Sequence, residues 1–382
     1  MKICDVVKNS VWYDPRVKKQ LDSYVKSSIE VVAVGIEDPR ADDSEISKLP
    51  CRVALAKIDN KYYSSKRSFL KKIKRELVGN KGIFKHLINE KPDVIHANDL
   101  NALIPAYKAA KKLKCKLIYD THEIFLENPW IANNKLVRAV WAHYEKKIIK
   151  RVDLVVCVSH AAADYLAKEY NIPKPMVITN CISASNNVSS EAIEKAQLKQ
   201  VLNHGQFYGG RGYDIMIEAA PLLKDYPELQ LVLRGYGSLE PQLRQRAGEL
   251  NAQNVTFAPP VRVYELIPEA AKAWVGLAIT EPISINFELS VSNKLFEYAA
   301  AGLPVIMSNI PEHRYLNEKY NFGIILKENS PTEITEAVLK LYTDSDLYDT
   351  LRKNAAILSK EINWDTEFNK LLTFERSCLN SD

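Results

Sequence analysis

Four short clusters in this 382-residue chain hold side chains suited to chemistry. The first is Gly205-Gln-Phe-Tyr-Gly-Gly-Arg-Gly212, where clustered glycines let backbone amides approach a phosphate and Arg211 adds positive charge. The second is the run from Asn286 to Pro304, which begins polar and turns into a short helix at Asn293. Ser292 and Asn293 are residue types that cap helix amides, three alanines favour the helix, and Gly302 and Pro304 end it. A helix start offers N–H groups and a positive dipole end to an anion, and Lys294 and Glu297 stand in its first turns. The third is His122-Glu123, on the loop after the apolar run CKLIYD. The fourth is Asp14-Pro15-Arg16-Val17, where Asp14 is suited to capping a helix and Pro15 to its first turn.

Several chemistries are disfavoured by the same inventory. The glycine loop lacks the terminal Lys-Ser/Thr of a Walker A loop, which argues against ATP-type phosphoryl transfer. No two carboxylates stand at a convincing spacing to act as acid and nucleophile. The seven histidines show no H-E-x-x-H pattern and the six cysteines no C-x-x-C pair, so no metal is expected and the cysteines read as reduced thiols.

The elements that must hold these clusters follow an alternating pattern. Residues 1–182 place the strand-like runs KICDVV, EVVAVGI, CRVALAKI, PDVIHA, CKLIYD, DLVVCVS and PMVITN between amphipathic helices. A second unit over 183–362 repeats the pattern with QVLNHG, LQLVLRG, NVTFAPP, WVGLAIT, PVIMS and FGIILK, after a polar linker at 183–199. Near-continuous Val/Ile/Leu runs imply strands covered on both faces, that is, parallel sheets. In such sheets the ligand lies beyond the carboxyl ends of the strands, and three of the four clusters follow a strand directly.

The run N-K-L-F-E-Y-A-A-A-G-L-P-V-I resembles the nucleotide-sugar segment of retaining GT4-like glycosyltransferases, the group 1 glycosyl transferases. D-V-I-H-x-x-D with Y-D-x-H-E, D-x-R-V, and the Gly-rich loop ending in Arg211-Gly212 are similar to further segments of that family. The resemblance implies a GT-B fold, in which two Rossmann-like doubly wound domains face each other across a cleft, with a closing helix at 363–382 that crosses back to the first. It implies that Glu297 holds ribose hydroxyls and that Arg211, Lys294, Asn293, Gly205 and Gly210 meet the diphosphate. Gly235 then turns near the nucleotide, Val261 and Arg262 run along the base, and His122 approaches the transferred sugar. Arg16 and Glu123 are its acceptor-side candidates. Two positions depart from the family: Gln206 replaces an arginine, and Leu289 replaces a second glutamate, with Glu288 one residue out of register as the nearest catalytic acid. The implied reaction is sugar transfer from a UDP- or GDP-sugar to a glycan or lipid-linked acceptor with retention, without metal or other cofactor. Rival readings are a GT-B nucleotide-sugar 2-epimerase and a non-catalytic GT-B scaffold subunit.

Composition sets the surroundings. Hydrophobic residues make up 46% and charged residues 26%, as in a globular protein, and 382 residues suit two cores. No apolar run reaches membrane-spanning length, so a cytoplasmic protein is expected. The net charge is only +5, but eleven Lys or Arg against three acids lie between Lys57 and Lys91. The amphipathic basic stretch over 61–91 reads equally as a solvated helix face and as a surface that rests on anionic lipid, where each basic residue adds roughly 1 kcal/mol. No aromatic platform accompanies the charge, which argues against nucleic acid.

Overall fold

The computed structural model describes residues 1–38, 43–59, 69–183 and 199–379. It forms two compact units, one of Met1–Ile178 with the chain from Phe368 onward, the other Thr179–Glu367. All thirteen expected strands form. In the first unit they are β1 (Lys2–Val6), β2 (Glu30–Ile36), β3 (Arg52–Ala56), β4 (Val94–Asn98), β5 (Lys116–Thr121), β6 (Leu154–Cys157) and β7 (Met176–Val177). They make one parallel sheet in the order β3-β2-β1-β4-β5-β6-β7. Every residue of β4 and nearly all of β2 is buried, as expected of strands covered by helices on both faces. The edge strand β7 is only two residues long, shorter than the six-residue run suggests, because Thr179 turns its N–H to the Glu367 carboxylate at 2.8 Å instead of the ladder.

The second unit is a six-stranded parallel sheet of β8 (Lys199–Gln206), β9 (Leu229–Tyr236), β10 (Val255–Ala258), β11 (Val275–Ala278), β12 (Val305–Met307) and β13 (Gly323–Ile325), in the order β10-β9-β8-β11-β12-β13. In each sheet the strand order reverses once, between β1 and β4 and between β8 and β11. The loops leaving those strands are where a doubly wound sheet receives a ligand.

The units divide a few residues from the expected boundaries. Thr179 to Ile182 belong with the second unit, where Ile182 O accepts from Trp364 N at 2.8 Å. The closing helix Trp364–Leu379 passes into the first unit at Phe368. There the Phe368 ring meets Tyr24 edge-on at 4.9 Å, and Tyr24 donates its hydroxyl proton to buried Glu375 at 2.6 Å. Most of the expected linker lies outside the described residues, as do residues 60–68 of the basic stretch. Among the described residues no helix is long and apolar enough to cross a membrane.

Candidate active site

In the second unit the glycine loop and the short helix come together at the carboxyl ends of β8 and β11. Gly205, at φ +138°, is the next-to-last paired residue of β8, and its register partner is Gly235 on β9. A side chain on Gly235 would lie 1.8 Å from Gly205 O, so glycine is required there by the close approach of two backbones. Gly210 and Gly212 also have positive φ and pack under Phe287 and Ile279. Glu281 ties the loop down: its N–H donates to Gly210 O at 3.0 Å, and its carboxylate accepts from Gly212 N at 3.2 Å.

Over this loop stands Lys294, 9% exposed, on the helix Asn293–Ala300. Its Nζ lies 3.7 Å from where a Gly205 Cβ would be, so the ammonium stands directly over that residue. Among the described residues Lys294 makes no ion pair. Burial, together with the charge of Arg211, lowers Lys294 to about 8. Arg211 is held between two aromatic rings, its guanidinium 5.1 Å from Tyr208 and 5.2 Å from Phe287, and it donates to the Tyr208 hydroxyl at 2.7 Å. Buried His313 is pushed down to about 4 by burial and by the charges of Lys294 and Arg211, and it stays neutral. Two cations beside glycine-lined backbone make a setting suited to an anion. A diphosphate fits that setting.

The helix start is barer than its residue types suggest. Ser292 makes no side-chain cap and Asn293 is exposed, so the first-turn amides are not taken by the residues expected to take them. One turn on, Glu297 Oε2 lies 2.7 Å from His204 Nε2, and the buried Tyr298 hydroxyl accepts from His204 N at 3.1 Å. Gln206, in place of an arginine, donates to the Tyr236 hydroxyl at 3.0 Å. Arg262 is exposed, with a 2.7 Å bond to Tyr264 beside half-buried Val261. Glu288 is exposed on the helix Ile285–Leu289, and among the described residues its carboxylate has no hydrogen-bond or ion-pair partner; Leu289 is half-buried.

The first unit gathers a second cluster at the ends of β1, β4 and β5. Val11 and Asp99 both have φ near +63°, a conformation costly for these residue types and held here by their surroundings. Asp99 accepts the His122 N–H at 3.1 Å. Asn98, fully buried, donates its amide to Asp5 Oδ1 and to Val6 O. Its Oδ1 is thereby turned to His122 Nε2 at 3.0 Å, and an amide oxygen only accepts, so Nε2 carries a proton. His122 Nδ1 then faces the carboxylates of Asp99 at 3.7 Å and Asp14 at 3.9 Å. Glu123 is exposed and accepts from Asn128 at 3.3 Å.

Arg16 is the residue that moves furthest from its expected place. Only 3% exposed, it donates from Nε and Nη2 to Asp120 and from Nη1 to Ile178 O at 2.9 Å. Gln20 and His96 close on the same carboxylate. Burial would raise Asp120, but the charge of Arg16, the hydrogen bond of His96 and the electrostatic influence of His122 hold it well below the usual carboxylate range. The Arg16 donors therefore serve the interior of the unit, and the acceptor-side role expected of it is withdrawn. Asp14 caps the helix Pro15–Lys26 as expected, accepting from Arg16 N and Val17 N at 3.1 Å.

His204, Tyr208, Phe287, Asn98 and Asp120 were not among the expected site residues. A histidine ending a strand just before a glycine loop is the one available signal for His204. The others lie inside segments already singled out, Tyr208 in the glycine loop, Phe287 in the run from Asn286, and Asn98 and Asp120 in D-V-I-H-x-x-D and Y-D-x-H-E, but their residue types alone do not mark their partners. Among the described residues no three His, Cys, Asp or Glu side chains group as a metal site.

Comparison with known proteins agrees with this arrangement. The family model described as Glycosyltransferase Family 4 matches residues 27–186, and Glycosyl transferases group 1 matches residues 187–357. An uncharacterized glycosyltransferase of Methanocaldococcus jannaschii is 26% identical over 282 residues, 69% of each chain. The chitobiosyldiphosphodolichol beta-mannosyltransferase of Debaryomyces hansenii is 22% identical over 70% of this chain, a match that spans 63% of the fungal enzyme. The crystal structure of Anabaena HepE with UDP superposes with a TM-score of 0.75 at 16% identity, covering 99% of this chain and 100% of the other; HepE has also been solved with UDP-glucose. Matched through most of its length by glycosyltransferase models and built on two Rossmann-like sheets, the chain belongs to the GT-B glycosyltransferases.

Proposed function

We propose that the chain transfers a sugar from a UDP- or GDP-sugar to a glycan or lipid-linked acceptor, with retention at the anomeric carbon, in the synthesis of a cell-surface polysaccharide or glycoconjugate. The observation that carries this reading is the buried Lys294 ammonium standing over Gly205 beside the aromatic-clamped Arg211. As the glycosidic bond breaks, charge collects on the diphosphate, and these two cations with the helix amides stabilise it there. Because the chain itself supplies that charge, the reaction is proposed to run without a metal. Glu297 accepts from the ribose, and His122 holds the transferred sugar. The departing phosphate takes the acceptor proton, which removes the need for a second carboxylate.

The acceptor is named from two supports of unequal weight. The fungal relative's name places its chemistry on a diphosphodolichol-linked glycan. The basic stretch 61–91 is suited to the anionic surface where such acceptors lie, and Leu77 on the helix Phe69–Glu90 is 63% exposed.

Release of free UDP or GDP from a panel of nucleotide sugars, with and without glycan and lipid-linked acceptors, tests the reading. Turnover is expected with one donor, and Glu297→Ala and Arg211→Ala should each lower donor affinity or turnover at least tenfold. Saturable nucleotide binding without turnover would favour a scaffold subunit. Conversion of the donor to its 2-epimer would favour the epimerase.

A further inference from the structure

We propose that His204 is a positioning residue that holds the Glu297 carboxylate by a hydrogen bond from its imidazole, so that ribose recognition in this chain depends on a His–Glu pair. The inference rests on the donor site proposed above and adds to it a residue that no resemblance supplied.

The geometry fixes the place of the imidazole. His204 is 3% exposed, and its ring lies 4.6 Å from the ring of Tyr298. Its backbone N–H donates to the Tyr298 hydroxyl, and Tyr298 lies over Gly276 of β11, where a Cβ would come within 2.2 Å of the tyrosine ring. The imidazole is thereby walled in. Its Nε2 is 2.7 Å from Glu297 Oε2, and a carboxylate oxygen only accepts, so Nε2 is the donor. Its buried Nδ1 has no hydrogen-bond partner, so Glu297 is the one polar group the ring serves among the described residues.

The consequence is functional. The bond from Nε2 fixes the rotamer of Glu297 and leaves its carboxylate lone pairs with which to accept sugar hydroxyls. Carboxylate orientation matters because a ribose diol presents two donors at a set separation. A glutamate free to rotate would lose the rotamer on binding.

Calorimetric titration with UDP, GDP and their 2′,3′-dideoxyribose counterparts tests the pair. Wild-type protein should bind the ribose form of its preferred nucleotide at least tenfold more tightly than the dideoxy form. His204→Leu should lose most of that preference while binding the dideoxy form within about twofold of wild type, which also shows the variant is folded. His204→Gln, which keeps an N–H donor, should retain most of it. Equal weakening of both nucleotides in His204→Leu would mean that His204 merely ties the helix to β8, and an undiminished preference would mean that it does not act on Glu297. Either result overturns the proposal. A wild-type protein that binds no nucleoside diphosphate would overturn the donor site itself.

Discussion

Replacing Lys294 by methionine is expected to give a more stable protein with about a hundredfold less donor turnover, the scale set by removing one preorganised charge from a developing anion. The two effects share one cause. A buried ammonium without a carboxylate partner costs the fold stability, and methionine fills the same space without the charge. Its pKa of about 8 against an ordinary 10.5 corresponds to a cost on the order of 3 kcal/mol. Because the folded chain releases this proton more readily than the unfolded chain, the cost is fully present below about pH 8 and fades as pH rises toward 10.5. Thermal melts should show the variant's advantage at pH 7 and its loss by pH 10. Nucleoside diphosphate affinity of the wild type should fall over the same alkaline range as the ammonium deprotonates. A variant with unchanged turnover, or one less stable than wild type at pH 7, would mean that Lys294 is not a cation kept for an anion.

Arg16→Met is expected to act in the opposite sense, on stability first. Asp120 is fully buried, and Arg16 supplies its main countercharge with a two-pronged bond. Removing one partner of a buried ion pair strands the other, at about 3–5 kcal/mol. In a unit of this size that lowers its melting temperature on the order of 10 °C. The double variant Arg16→Met with Asp120→Leu should recover part of the loss, because an apolar pair strands no charge. A single variant that melts within 2 °C of wild type would show that Gln20 and His96 suffice to hold the carboxylate.

The residues legible beforehand were those whose type is dictated by backbone. The thirteen strands were readable because both faces of each sheet are covered, which writes nearly unbroken apolar runs into the chain. The glycines of the 205–212 loop were readable because positive φ and close backbone approach exclude other residues. Partnerships were not readable. His204 and Glu297 are 93 residues apart and Arg16 and Asp120 are 104 apart, and strand order alone brings each pair together. Arg16 was misplaced for that reason, since nothing local tells whether an arginine opening a helix turns outward or toward a buried acid. Ser292 was misjudged differently: its type suits a cap, but its side chain makes none, and it is its backbone oxygen that accepts from Leu295 N at 3.0 Å.

Amide hydrogen exchange with and without UDP or GDP tests the donor site most directly. Nucleotide should slow exchange at residues 205–212 and at the start of the helix Asn293–Ala300, and the protection should weaken in the Lys294→Met protein. Protection confined to other segments, with these two unchanged at saturating nucleotide, would contradict the site.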